Sequence, residues 1–356
     1  VERRRLVLVG LDIGRQYIKI VAMNKTKDGY KLLDAGQRLV PEPNQAFDPD
    51  KIDTHHWVMA IKELLKQQNL NPKKIKLIAT GISGASASVK QITTMEMPAE
   101  ELESAMTFEA RKHIPMDGTD AVIDYQILGS NEKEVDKIDV SLVACTKGVL
   151  TSHIDLLKES GLKPGVIDAD PIAITNSFTY LKDMPSEGLA VLLDIGALSS
   201  SLIVWGNGQQ YFTRDLPVGG HQFVKEIVEK KDISYTEAQD ILFRDGVASI
   251  IKNEASEDQS TLGVAERSVY DNLIEDLRRS LRFYAKQTGQ SFFLKILLTG
   301  GAAGTPGLAG LISSKLNIDC DILNPFEGLD GAESLSLENP SQYVLAMGLC
   351  IRAGME

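Results

Sequence analysis

The chain has 356 residues, 43% apolar and 24% charged. That is ordinary globular composition, long enough for two or three domains with large cores of their own. Its net charge of −11 argues against non-specific binding of nucleic acid or anionic membrane by the body of the protein, although a local basic patch stands at Arg3-Arg4-Arg5. Cys145, Cys320 and Cys350 are far apart and form no Cys-x-x-Cys pair, which argues against zinc and a disulfide framework and fits a reducing, cytoplasmic compartment.

Apolar runs such as Ile296-Leu297-Leu298 are strand-sized, well below the ~18 residues of a membrane span. The start leads into a short strand without the longer apolar core of a signal peptide. Leu6 to Gly10 is that strand, and it ends in Leu11-Asp12-Ile13-Gly14. A second strand is expected at Tyr17 to Met23, with Asp28-Gly29 turning into a third at Tyr30 to Leu33. Pro41 to Pro49 reads as a loop. Thr54 is the expected cap of a helix carrying Trp57, Ile61, Leu64 and Leu65 on one face. A strand follows at Lys76 to Thr80. Pro98 opens a helix over Glu100 to His113, which ends before Ile114-Pro115. Strands are expected at Ala121 to Leu128 and Ile138 to Thr146, then a helix from Leu150 to Glu159 that Gly161 ends.

At Leu189 the pattern restarts. Leu189 to Leu193 runs into Asp194-Ile195-Gly196, followed by a strand over Ser200 to Trp205, a turn at Asn207-Gly208 and a strand over Gln210 to Arg214. The unit strand, Asp-Ile-Gly, strand, hairpin thus occurs twice, about 180 residues apart, and implies two related halves facing each other. Helices are expected over Tyr235 to Phe243 and Tyr270 to Tyr284. A strand over Lys295 to Leu298 leads into Thr299-Gly300-Gly301-Ala302-Ala303-Gly304, and a helix over Tyr343 to Ala353 closes the chain. The alternation of strands and helices predicts α/β architecture.

Glycine at a strand end, as at Gly14, lets backbone N–H groups approach phosphate oxygens. Asp12 cannot meet phosphate directly, since both are anions, but it can hold Mg²⁺ through water. Lys19 sits on the next strand, where a cation can reach a nucleotide. One such motif alone reads more readily as a plain turn with a solvated aspartate than as a ligand site. The second copy, Asp194, Gly196 and Ala197 with Ser199 and Ser200 as hydroxyl donors, makes a two-sided grip on a polyphosphate and its metal. Gly300, Gly301 and Ala302 leave room for something flat, such as an adenine-ribose unit.

Together these three elements resemble the phosphate-1, phosphate-2 and adenosine motifs of the actin-like ATPase superfamily. The resemblance implies a duplicated, ribonuclease H-like actin fold with ATP and Mg²⁺ between its halves. It implies that Gly219-Gly220 is the turn after the second phosphate hairpin. The helix holding Glu275, Arg278, Arg279 and Ser280 lies where an adenine-side helix would be, and reads equally as an ordinary amphipathic helix. Arg15 and Gln16 stand where relatives often have Ser or Thr, and Arg15 reads either as a phosphate partner or as a solvated cation. By motif alignment Asp170, in Asp168-Ala169-Asp170-Pro171, matches the residue that positions attacking water. Aspartate is one methylene short for that task, so slow or negligible hydrolysis is expected.

The stretch from Ala99 to Met116, then Ala121 to Leu128, Pro306-Gly307-Leu308, Asn324-Pro325-Phe326 and Ala346 to Leu349, resembles the PilM family of type IV pilus assembly proteins. That resemblance implies a cytoplasmic protein at the inner face of the inner membrane, peripheral to it through its partners. The implied partner is the amino-terminal cytoplasmic peptide of PilN, held in a groove beside an inserted subdomain. Pilus motor or platform proteins and a second copy of the chain are further candidates. The expected division is 1–80 with 166–185 and 340–356, an insert at 81–165, 186–218 with 292–339, and a helical part at 219–291. The alternatives are an FtsA-like protein, a filament-forming cytoskeletal ATPase and a small-molecule kinase of the same fold. Residues 350–356 lack the amphipathic tail expected of FtsA, and no kinase signature stands out. His113 and His55-His56 read as structural or solvated residues.

Overall fold

The computed structural model describes residues 7–42, 45–83, 87–112, 121–131, 133–182, 187–251 and 267–356. The Arg3-Arg4-Arg5 patch, Leu6, His113 and Ile114-Pro115-Met116 lie outside them.

The first half is built on β1 (Val7–Ile13), β2 (Tyr17–Lys25), β3 (Tyr30–Leu39), β4 (Ile75–Ile82) and β8 (Val166–Ala169). They form one sheet in the order β3-β2-β1-β4-β8, antiparallel across β3, β2 and β1 and parallel across β1, β4 and β8. The second half repeats this. β9 (Leu189–Ile195), β10 (Ser200–Trp205), β11 (Phe212–Leu216), β12 (Phe293–Thr299) and β13 (Cys320–Ile322) assemble in the order β11-β10-β9-β12-β13. This sheet is again antiparallel across β11, β10 and β9 and parallel across β9, β12 and β13. The duplication expected from the two Asp-Ile-Gly segments is therefore a duplication of whole sheets.

Between β4 and β8 the chain leaves the first sheet. β5 (Ala87–Met95), β6 (Ala121–Ser130) and β7 (Lys137–Thr146) form a third sheet, β5-β7-β6, under α2 (Ala99–Ala110), and α3 (Lys147–Glu159) leads back. The sheet and α2 bury a core of their own, with Leu102, Met106, Val140 and Leu142 at its centre.

α1 (Thr54–Gln67) and α3 cover the outer face of the first sheet, burying Val9, Leu11, Ile18 and Ile20 against Ile61, Leu64 and Leu157. α4 (Asp170–Leu181) and α9 (Val344–Met355) fill the layer between the two sheets, against Leu8, Val21 and Met23 on one side and Ala190, Leu192 and Ile203 on the other. α5 (Gly220–Lys231), α6 (Tyr235–Asp245), α7 (Val269–Thr288) and α8 (Leu308–Leu316) cover the outer face of the second sheet. The central layer is tight enough that a Cβ on Gly348 of α9 would overlap the Ala173 carbonyl of α4.

Local details differ from the sequence expectations. Asp53, not Thr54, caps α1: its Oδ1 accepts from the His56 N–H at 3.2 Å, and His56 Nδ1 accepts from the Asp53 N–H at 3.3 Å. His56 is thereby a capping residue. α2 ends at Ala110, three residues before the expected His113. β3 runs on to Leu39, six residues past the expected Leu33. Gly161 takes φ +77° just after α3, the backbone a helix end requires.

Candidate functional site

Alternation along the strands decides where the charged side chains go. In β1, Val9 and Leu11 face the outer core, so Leu8 and Asp12 face the layer between the halves. In β2, Ile18, Ile20 and Ala22 face outward, so Lys19 joins Val21 and Met23 on the inner side. In β9, Val191, Leu193 and Ile195 take the far core, which leaves Asp194 with Ala190 and Leu192 on the inner side. The two Asp-Ile-Gly segments thus present their carboxylates to one cleft, from opposite walls.

Asp12 and Lys19 are direct partners in the β1–β2 ladder, and Lys19 Nζ lies 2.8 Å from Asp12 Oδ2. Burial alone would depress the Lys19 ammonium. Asp12, with smaller contributions from Asp194 and Asp170, outweighs it and holds the ammonium above its ordinary value. Asp194 Oδ1 accepts from Thr299 Oγ1 at 2.9 Å, and burial, reinforced by Asp12, raises its carboxyl. Asp170 is the first residue of α4, followed by Pro171, which suits a first helical turn. Its Oδ1 is buried without a hydrogen-bond partner, and burial next to Asp12 and Asp194 pushes its carboxyl up to about 8.

The glycines shape the walls. Gly196 N–H donates to Ser199 O at 3.0 Å and Gly220 N–H to Gly196 O at 2.9 Å. Gly219 packs so closely on this turn that a Cβ would stand 2.7 Å from the Ala197 carbonyl oxygen. Gly300 has φ +90°, and a Cβ there would stand 2.8 Å from Asp194 Oδ1. Its N–H donates to Ser341 O at 3.1 Å. These glycines therefore permit close approach between loops, while their own N–H groups are used inside the loops. Gly301 differs: nothing lies within 4 Å of where its Cβ would be. Ala302 N–H donates to Ile195 O at 3.1 Å, which ties the third glycine-rich turn to the second aspartate loop.

At the first loop, the Gly14 carbonyl accepts from Trp57 Nε1 at 3.1 Å, and Gln16 O accepts from the Val40 N–H at 2.9 Å. Arg15 is exposed and lies over the Trp57 ring at 5.5 Å, a cation–π contact.

Ser199 is exposed at the edge of its loop. The hydroxyls of two expected site residues, Ser200 and Ser280, point into the protein. Ser200 is buried and donates to Val218 O at 2.6 Å, because it alternates with Leu202 and Val204 on the core side of β10. Ser280 is buried in α7 and donates to Asp276 O at 2.6 Å, on the helix face shared with Leu277, Leu281 and Tyr284. Arg278 is tied to Glu275 at 2.7 Å and to the Lys315 carbonyl at 3.0 Å, bracing α7 on α8. Residues missed in the sequence include Thr299, whose hydroxyl holds Asp194, and Gln222, which bonds both the Gly219 N–H at 3.0 Å and Leu198 O at 3.2 Å. Thr299 precedes the glycine pair directly, and that position was its available signal.

The third sheet touches the second half near this site. Tyr211 N–H donates to Gln91 Oε1 at 2.7 Å, and Thr213 Oγ1 donates to Val89 O at 3.2 Å. Tyr211 OH in turn donates to Pro171 O at 3.0 Å, next to Asp170.

Chemically, the cleft combines carboxylates on both walls, one buried ammonium, an unpartnered carboxyl oxygen and an open glycine surface. That donor set fits a hydrated divalent cation with a polyphosphate, and the space over Gly301 fits a flat group. Among the described residues no cluster of three or more His, Cys, Asp or Glu is arranged to hold a metal ion directly. Among them, too, no helix is long and apolar enough to cross a membrane.

The family model described as type IV pilus assembly protein PilM matches residues 10–354. Cell division protein FtsA of Bacillus subtilis (strain 168) is 22% identical over 379 aligned positions, covering 96% of this chain and 82% of FtsA. Among solved structures, the PilM-PilN type IV pilus biogenesis complex matches with TM-score 0.78 and 23% identity, over 98% of this chain and 99% of that one. The ethanolamine utilization protein EutJ from Carboxydothermus hydrogenoformans matches with TM-score 0.52 and 13% identity, over 97% of this chain and 89% of that one. The fold is actin-like.

Proposed function

Because the chain belongs to the PilM family of type IV pilus assembly proteins, we propose that it is an ATP-binding, actin-like scaffold of the pilus inner-membrane assembly complex. Its partner is the amino-terminal cytoplasmic segment of PilN, and it sits on the cytoplasmic side of the inner membrane through that partner. The observation that carries the nucleotide part is the convergence of Asp12, Lys19, Asp194 and Asp170 on one cleft beside the open Gly301 surface. The PilN part is supported by the family and by the likeness to the PilM-PilN complex.

In this reading Asp12 and Asp194 hold Mg²⁺ through water, and Lys19 balances their charge. Bound Mg²⁺ would neutralise the phosphates between the two walls. The loops at Gly14 to Gln16, Gly196 to Ser199 and Gly219-Gly220 flank the phosphates, and Gly300 to Ala302 carry the adenosine. Asp170 is one methylene shorter than a glutamate at that position would be, which supports slow or negligible hydrolysis, with ATP acting mainly as a conformational ligand. The third sheet and α2 form the inserted subdomain, the first and second sheets with their helices form the two halves, and α5 to α7 form the helical part of the second.

Calorimetric titration with a synthetic peptide of the PilN amino terminus from the same genome, with and without ATP·Mg²⁺, tests the assignment. Saturable one-to-one binding is expected, and a difference between the two titrations measures the linkage. No binding in either state removes the PilN assignment.

A further inference from the structure

The described residues between β3 and α1 reach from the first half to the second. Both flanks of this segment are fixed to the first aspartate loop, through the Val40 N–H on Gln16 O at 2.9 Å and Trp57 Nε1 on Gly14 O at 3.1 Å. Between those anchors Phe47 is only 5% exposed, yet it belongs to none of the cores that build the two halves or the third sheet. Its ring meets the His221 ring edge-on, with centroids 5.3 Å apart and planes at 88°.

His221 belongs to the opposite wall. It lies in the first turn of α5, directly after Gly219-Gly220, and its N–H donates to Ala197 O at 2.8 Å. Its Nδ1 pairs with Tyr235 OH of α6 at 3.0 Å, and the two rings lie 5.5 Å apart. A side chain rooted at the first aspartate loop is therefore seated on a residue rooted at the second. The contact joins the walls of the cleft outside the α4 and α9 layer.

We propose that Phe47 and His221 form a latch across the mouth of the cleft, which parts for nucleotide to enter or leave and so sets the exchange rate. The proposal rests on the nucleotide reading above. Phe47 stabilises the closed arrangement by burying its ring against the second half. Opening exposes that ring, so its truncation lowers the barrier to release. A phenylalanine that merely filled a gap would change melting temperature without changing release.

The test is stopped-flow displacement of a pre-bound fluorescent ATP analogue, with Mg²⁺, from the full chain. Losing most of a buried phenylalanine contact is worth on the order of a tenfold or larger factor, so Phe47→Ala should release the analogue about tenfold faster or more. Phe47→Leu should fall between it and the parent. His221→Ala should accelerate release too, and the double variant should release no faster than the quicker single one, since both remove one contact. In the nucleotide-free protein, amide hydrogen exchange at His221 should quicken in Phe47→Ala, because the seat on Ala197 O loosens. Unchanged release in Phe47→Ala and Phe47→Leu, or fully additive single effects, overturns the latch. If the parent chain binds no analogue, the nucleotide reading fails and the latch falls with it, whereas a parent that binds and a variant that releases normally overturns the latch alone. Should Phe47→Ala not fold, Phe47→Leu decides, through its release rate and through the same exchange measurement at His221 made in that variant.

Discussion

Lys19 stands directly opposite Asp12 across two antiparallel strands, its Nζ 2.8 Å from the carboxylate, with both side chains nearly withdrawn from solvent. The pair sits on the strand face that looks into the cleft. It fixes one wall electrostatically before any ligand arrives.

Replacing Lys19 with Met leaves Asp12 buried and unpaired. A loss of about 3 kcal/mol is expected from breaking such a pair, and Asp12→Asn in the same chain should restore part of it. The folded ammonium sits above its ordinary value of 10.5. Its stabilisation is fully present below that unfolded value and is lost only as pH rises through the folded one. Urea unfolding of parent and variant should therefore show a difference that does not narrow from pH 6 to 9 and narrows only in stronger alkali. A difference that narrows across neutral pH contradicts this.

Asp170 behaves in the opposite sense. Its carboxyl moves from 3.8 in the unfolded chain to about 8 in the folded one. Between those values the folded state keeps a proton that the unfolded state releases, so this group lowers stability as pH rises through the window. Asp170→Asn keeps the shape and removes the titration. The ligand-free variant should gain several degrees in Tm over the parent at pH 9 and gain much less at pH 5. Equal gains at both values would show that Asp170 does not carry the shift.

Tyr211 links three parts of the molecule through Gln91, Pro171 and Thr175, the last at 3.0 Å from its hydroxyl. Tyr211→Phe leaves the backbone bond to Gln91 and deletes the hydroxyl bonds. About 1 kcal/mol of stability should be lost, by chemical denaturation. If the link carries cleft closure to the third sheet, the variant should also show a smaller difference between PilN-peptide titrations with and without ATP·Mg²⁺. An unchanged difference would confine Tyr211 to a structural role.

The doubled Asp-Ile-Gly pattern was legible because it is local: an apolar strand, an acid, a glycine and a second strand need no tertiary information. The same holds for the third glycine-rich turn. β5 was not legible, since Ala-Ser-Val-Lys-Gln-Ile-Thr-Thr-Met has no continuous apolar run and is placed by pairing with β7. β8 and β13 have only 4 and 3 residues and exist because parallel neighbours hold them. Ser200 and Ser280 turn inward for a reason the sequence does carry: Ser200 alternates with Leu202 and Val204 along its strand, and Ser280 shares a helix face with Leu277 and Tyr284. Phe47 and His221 could not be paired from sequence, because the contact exists only once the two halves face each other.

One nucleotide is expected to lie in the cleft against Gly301. Gly301 has open space where a side chain would project, so Gly301→Val should leave the fold intact while filling the surface on which the adenosine would rest. Calorimetric titration with ATP·Mg²⁺ should give one site per chain in the parent and at least about a tenfold weaker site in Gly301→Val, with both chains melting at similar temperatures, since the clash costs at least the roughly 1.4 kcal/mol that a tenfold change represents. No binding to the parent would remove the nucleotide from the cleft, and equal binding to both chains would remove it from Gly301.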